Sequence, residues 1–130
     1  MASRAAILDL DHVQVAVPPG AEDVCRAFYV TLLGMPEIAK PQALVAHGGV
    51  WVQAGKRQLH LGVEKEFQPA RKAHPAFAVS DIDDLAQRVA HEGRDVVWDN
   101  ETIPGLRRFH THDPFGNRLE FVESQDVSNR

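Results

Sequence analysis

The stretch of sequence that decides the fold is DHVQVAV, residues 11–17, because its pattern returns later in the chain. Apolar and polar side chains alternate along it, as in a strand with one buried face. The stretch AHPAFAV, residues 73–79, has the same pattern and the same histidine in second place. Each stretch precedes an amphipathic helical pattern, over residues 21–33 and 81–92, that ends at a glycine. Ser80, with Asp83 three residues later, resembles the capping box of the second helix. These correspondences predict an internal repeat.

Three short strand-like stretches follow each helical pattern: residues 37–40, 45–53 and 57–63 in the first half, and 95–98, 107–112 and 117–123 in the second. The separations of His12 from His74, Gly34 from Gly93 and His60 from Glu120 are 62, 59 and 60 residues. We therefore predict an α+β fold in which two βαβββ repeats form a cupped mixed sheet with the helices on its outer face. Residues 1–130 would be one domain, with repeats at about 9–64 and 73–123.

The composition excludes several classes of protein. The net charge is −4 and the 14 Lys and Arg residues are scattered, which argues against a nucleic-acid partner. No apolar run approaches the length of about 18 residues that a membrane span needs. The single cysteine, Cys25, excludes a disulfide within the chain, and the first nine residues lack a signal-peptide pattern. We expect a cytoplasmic protein.

Strand alternation predicts the position of a site. Because neighbouring side chains point to opposite faces of a strand, the apolar face must pack on the helices. The other face then carries His12 and His60 from the first half, and His74 and Glu120 from the second. Three imidazoles and a carboxylate suit a divalent transition ion, such as Zn, Ni, Mn, Fe or Co, better than Ca²⁺ or Mg²⁺. His60 is the least secure of the four ligands, because it could instead support another ligand or contact the substrate.

The most specific motif is DPFGNRLE, residues 113–120, in which a proline and a glycine set a turn before the last strand. With the two histidines at the strand starts, it resembles the vicinal oxygen chelate superfamily, which includes glyoxalases, bleomycin-resistance proteins and extradiol dioxygenases. The resemblance implies a metal in a cupped sheet that chelates two neighbouring substrate oxygens. It places His12, His74 and Glu120 at the superfamily's ligand positions. Glyoxalase I-like members carry Glu where this chain has His60, so the proton transfer of glyoxalase I is doubtful here.

The seventh strand adds candidate catalytic groups beside Glu120. Arg108, His110 and His112 share one of its faces. If that face looks into the cup, Arg108 could hold a substrate carboxylate or phosphonate and His110 could move a proton. The alternative is an exposed basic edge. Trp51 and Trp98 could line the pocket, although a core position is the commoner place for such side chains.

Two classes of function remain open from the sequence. The first is a metal-dependent lyase, isomerase, thiol transferase or dioxygenase that acts on a small oxygen-rich substrate. The second is a metal-free protein of the bleomycin-resistance type that binds an antibiotic or another small molecule; a third possibility is an interaction domain with a vestigial site. Retention of His12, His74 and Glu120 favours the enzyme. The resemblance also implies a homodimer.

Overall fold

The computed structural model describes residues 3–125. Both halves follow the order strand, helix and three strands. The first half contains β1 (His12–Val17), α1 (Glu22–Cys25) continuing as a π-helix (Arg26–Leu32), β2 (Glu37–Ile38), a 3₁₀ helix (Gln42–His47), β3 (Val50–Ala54) and β4 (Arg57–Val63). The second half contains β5 (Ala76–Val79), α2 (Ile82–His91), β6 (Val97–Asp99), β7 (Arg108–His112) and β8 (Arg118–Glu123).

The two halves build sheets of the same topology. The strand orders are β1-β4-β3-β2 and β5-β8-β7-β6. In each sheet the first strand runs parallel to the last, and the other neighbours are antiparallel. The registers also correspond, because Gln14 pairs with His60 in one sheet and Ala76 pairs with Glu120 in the other. The predicted α+β fold with two βαβββ repeats is therefore confirmed, as two four-stranded mixed sheets.

The buried core lies on the face of each sheet that alternation assigned to the helices. Leu59 and Leu61 of β4 and Leu119 and Phe121 of β8 are at most 2% exposed. They belong to one apolar cluster with residues from the helical segments of both halves, including Phe28, Tyr29, Ile82, Leu85 and Val89. Burial of this apolar surface supplies the main favourable free energy of folding. It also fixes which side chains point to the opposite, polar face.

Several predicted boundaries were wrong. Residues 45–47, predicted as strand, belong to the 3₁₀ helix, and β3 begins only after Gly48 and Gly49. Gly49 has a φ of +88°, and a Cβ there would lie 2.2 Å from the carbonyl oxygen of Leu61, so this approach needs glycine. The predicted first helix contains only one turn of α-helix, and it then continues as a π-helix.

The predicted cap of α2 and the predicted start of β5 also need correction. The N-cap is Asp81 rather than Ser80, and its carboxylate accepts a hydrogen bond of 3.1 Å from the backbone N–H of Asp84. β5 begins at Ala76 rather than at residue 73, because Pro75 has no N–H to give to a strand ladder. His74 therefore lies in the segment that leads into the strand. Within residues 3–125 no helix is long and apolar enough to cross a membrane.

Candidate functional site

The polar face of the second sheet brings His74 and Glu120 together. His74 Nε2 lies 3.1 Å from Glu120 Oε1, and His74 Nδ1 lies 2.7 Å from the carbonyl oxygen of Lys72. A carbonyl oxygen only accepts, so Nδ1 carries the hydrogen and a neutral ring turns its Nε2 lone pair towards the carboxylate. Two acceptors at this distance need a proton or a cation between them. A histidine held at Nδ1 by a carbonyl group is also the usual arrangement of a metal ligand.

Glu120 is 8% exposed, and its second carboxylate oxygen is paired with Arg108. Arg108 Nη1 lies 3.3 Å from Glu120 Oε2, and Arg108 Nη2 lies 2.9 Å from Asp99 Oδ2. Asp99 accepts from the backbone N–H of Thr102, and this bond, followed by those to the Thr102 side chain and Arg108, holds the pKa of Asp99 well below its usual value. Arg108 therefore lies between two carboxylates. Asp99 could not be predicted from the sequence, because its role depends on the contact with Thr102 in the following loop.

His110 and Arg118 lie beside this ion-pair network. The predicted common face of Arg108 and His110 is the face of Glu120, since His110 pairs with Glu120 across β7 and β8. An arginine only donates, so Arg118 Nη2 donates to His110 Nε2 over 3.3 Å. Burial lowers the pKa of His110, and the charge of Arg118 lowers that pKa further. His110 is thus a neutral imidazole near pH 7. Arg118 Nε is buried from solvent without a hydrogen-bond partner.

On the first sheet, His60 lies inside a stack of three rings. Its ring is 3.7 Å from that of Trp51, with an angle of 1° between the planes, and 4.2 Å from that of His12, with an angle of 18°. Trp51 therefore lines this polar face rather than the core, whereas Trp98 packs against Phe109 at 5.2 Å and is partly exposed. Burial lowers the pKa of His60.

The stack limits what His12 and His60 can bind together. Ring lone pairs lie in the ring plane, so two nearly parallel rings do not direct them at one ion. His60 Nε2 is 2.9 Å from Gln58 Oε1, and His12 Nδ1 is 2.9 Å from Asp11 Oδ1. The Asp11 carboxylate only accepts, so Nδ1 of His12 carries a hydrogen and a neutral ring has its Nε2 lone pair available. The bond to Asp11 uses only Nδ1 of His12, whereas the ring of His60 is stacked on both faces and its Nε2 faces Gln58.

The four predicted ligands form two pairs, His12 with His60 and His74 with Glu120, one on each sheet. Within residues 3–125 no three His, Cys, Asp or Glu side chains are grouped closely enough to hold one metal ion. The predicted set of four converging ligands stays a prediction for this chain. Both pairs lie beside the edge strands β1 and β5, and neither of these strands has a partner on its outer side among the described residues.

A buried polar cluster holds the two halves in place around these pairs. Tyr29 donates to Asp113 Oδ2 over 2.6 Å, and Asp113 Oδ1 accepts from the backbone N–H groups of Phe115 and Asn117. Asn117 Nδ2 donates to Asp113 Oδ2 and, over 2.8 Å, to the carbonyl oxygen of Ala16 in β1. The turn before Glu120 is therefore tied to the strand that carries His12. The motif predicted the turn from sequence, but not the contact of Asp113 with Tyr29, which comes from the other half of the chain.

Comparisons with known proteins agree with this architecture. The sequence profile of the Glyoxalase/Bleomycin resistance protein/Dioxygenase superfamily matches residues 9–121. A solved structure from Bacillus anthracis, assigned to the glyoxalase family, is 46% identical, with a TM-score of 0.89 over 95% of this chain and 100% of that one. A comparison with curated proteins found no match.

More distant structures share the fold. A superfamily member from Sphaerobacter thermophilus is 23% identical, with a TM-score of 0.70 over 91% of this chain and 98% of that chain. Lactoylglutathione lyase from Agrobacterium tumefaciens is 19% identical, with a TM-score of 0.64 over 93% of this chain and 95% of that chain. At such identities the likeness concerns the fold alone. The profile match over most of the chain, together with the paired sheets, shows that the protein belongs to the glyoxalase/bleomycin resistance protein/dioxygenase superfamily.

Proposed function

We propose that the chain is a metal-dependent enzyme of the vicinal oxygen chelate type, acting on a small oxygen-rich substrate. The observation that carries this proposal is the pair His74 and Glu120, in which an imidazole Nε2 and a carboxylate oxygen face each other at 3.1 Å. The donor set fits a divalent transition ion, because it combines imidazole nitrogen with one carboxylate. His12, His74 and Glu120 would hold the ion, which would polarise a substrate oxygen as a Lewis acid.

The neighbouring residues support the same reading. The carbonyl oxygen of Lys72 and the carboxylate of Asp11 fix the orientation of His74 and His12 through Nδ1. Nε2 of each ring is then the nitrogen that would bind a metal ion. Arg108 holds Glu120 in place and offsets part of its charge. Because Nε2 of His110 accepts from Arg118, the neutral ring carries its hydrogen on Nδ1, and it would act on a bound substrate as a hydrogen-bond donor. These roles support binding and polarisation of a substrate oxygen, and they leave the individual reaction open.

We further propose that the protein acts as a homodimer in which each site takes one ligand pair from each copy. Each chain offers two pairs on separate sheets, each beside an unpaired edge strand. Val13 of β1 is 36% exposed, and Ala76 and Ala78 of β5 are also exposed, so apolar surface is available at both edges. A twofold interface is self-complementary, so joining His12 of one copy to His74 and Glu120 of the other would create two equivalent sites.

Metal content tests the proposed function, and mixed dimers test whether each site takes ligands from both copies. The purified protein, offered Ni, Mn, Fe, Zn and Co in turn, should retain about one equivalent of metal per chain by mass spectrometry. Retention below about a tenth of an equivalent would reject the metalloenzyme and favour the metal-free binding protein. His60→Ala should leave metal affinity within about threefold if His60 has no part in binding the ion; a loss of about 10–100-fold would indicate that its stack supports His12, and a larger loss would make it a ligand.

To test whether two copies share a site, His12→Ala and Glu120→Ala chains should be coexpressed with different affinity tags. The purified mixed dimer should bind about one metal ion, because one of its two sites would then contain every native ligand. Dimers made only of either variant should lose high-affinity binding. If the mixed dimer binds no better than they do, the ligands come from a single chain.

A further inference from the structure

Arg118 is a cation without a matching anion. Within residues 3–125 no carboxylate lies within 4.0 Å of its guanidinium group, and its one side-chain hydrogen bond goes to the neutral ring of His110. Its Nε is shielded from solvent and has no partner. A partly buried charge that is neither paired nor fully hydrated is costly, so such positions commonly receive a ligand charge.

The other arginine of this face is already occupied. Arg108, the residue that sequence reasoning assigned to a substrate anion, forms ion pairs with Asp99 at 2.9 Å and with Glu120 at 3.3 Å. An incoming anion would have to displace one of these carboxylates. Arg118 requires no such displacement, and its two Nη groups can bind two oxygens of one anion side by side.

Arg118 also lies at a suitable distance from the proposed metal ligands. It precedes Glu120 by two residues on β8, so both side chains project from the same face with Cα atoms roughly 7 Å apart. Arg118 and His74 both line a cleft of about 900 Å³ between β1 and β5, whose other lining residues are mainly apolar. In the single chain a small molecule can therefore reach both groups at once.

We propose that Arg118 binds an anionic group of the substrate, and that the substrate is a small carboxylate, phosphate or phosphonate whose anionic group lies a few bonds from the oxygens that face His74 and Glu120. The proposal extends the proposed function. It rests on that function for one statement, that the substrate oxygens face His74 and Glu120. The anion contact itself needs only Arg118. It can therefore be tested on protein stripped of metal.

The test is titration of the metal-free protein with inorganic phosphate, followed by calorimetry and by the phosphorus NMR line width. The wild-type protein should bind phosphate saturably, and Arg118→Met should weaken binding at least tenfold. Arg118→Lys, which keeps the charge and loses the two-point geometry, should fall between them. Arg107→Met is the matched control, because Arg107 pairs with Asp83 of α2 instead of the polar face, and it should leave binding unchanged.

Three results would overturn the proposal. They are no saturable phosphate binding by the wild type, unchanged binding by Arg118→Met, or loss of binding in Arg108→Met while Arg118→Met still binds. If Arg118→Met does not fold, as judged by circular dichroism, the Arg118→Lys titration decides, and wild-type affinity in that variant refutes the two-point contact. Metal content is measured separately on the same preparations. Metal retention without phosphate binding removes this inference only, whereas phosphate binding without metal retention removes the proposed function and leaves the anion contact standing.

Discussion

Replacing Asn117 with alanine should cost about 3 kcal/mol of unfolding free energy. The side chain is 1% exposed and joins three parts of the chain. Its Nδ2 donates to the carbonyl oxygen of Ala16 at 2.8 Å and to Asp113 at 2.9 Å, and its Oδ1 accepts from the backbone N–H of Ala70 at 2.9 Å. Each such bond contributes about 1 kcal/mol net, and the truncation leaves all three partner groups in a largely buried place.

Urea unfolding followed by tryptophan fluorescence measures this loss at a fixed protein concentration, since dimerisation would make stability depend on concentration. For a domain of this size the loss corresponds to a fall in Tm of roughly 10 °C. Asn100→Ala is the matched control, because Asn100 is exposed in the loop after β6, and it should change stability by less than about 0.5 kcal/mol. A loss below about 1 kcal/mol for Asn117→Ala would show that the cluster around Asp113 does not hold the two halves together.

Two further predictions concern titration. Burial raises the pKa of the Cys25 thiol to about 12, so a disulfide reagent at pH 8 should label the native protein at least about a hundredfold more slowly than the chain in guanidinium chloride; rapid native labelling would contradict the burial. Burial lowers the pKa of His60 below 6.5, so protonation favours the unfolded chain, and the stability present above pH 6.5 should be lost as the pH falls from there through the folded-state pKa. Unfolding curves at pH 5, 6 and 7 should show this decline in the wild type and a smaller one in His60→Gln, whereas equal slopes would refute it.

Alternation along single strands was enough to predict which faces are buried. In β4, Leu59 and Leu61 belong to the core while Gln58 faces the other side, because a shift of one residue would expose every apolar side chain of the strand. The internal repeat could be predicted equally well, because it rests on the spacing of corresponding residues in the two halves. The polar-face positions of His12, His60 and Glu120 follow from the same rule.

Alternation along one strand could not predict which side chains these residues contact. The ring stack of Trp51, His60 and His12 spans β3, β4 and β1, so it depends on registers that one strand does not encode. The pairing of Arg108 with Asp99 depends on the register of β6 and β7. In the segment after β2, Val45 was predicted as the start of a strand, yet it is exposed in the 3₁₀ helix, so apolar character alone misled the prediction there.

The two sheets share a backbone plan but differ in chemistry, and the difference bears on how a shared site would work. His60 and Glu120 occupy corresponding positions, as do Gln58 and Arg118 two residues earlier on the same strands. One sheet thus presents neutral and aromatic groups where the other presents charges. If two copies combine as proposed, every site receives one sheet of each kind. The ring stack would then contact the less polar part of a substrate, while Arg118 binds its anionic group.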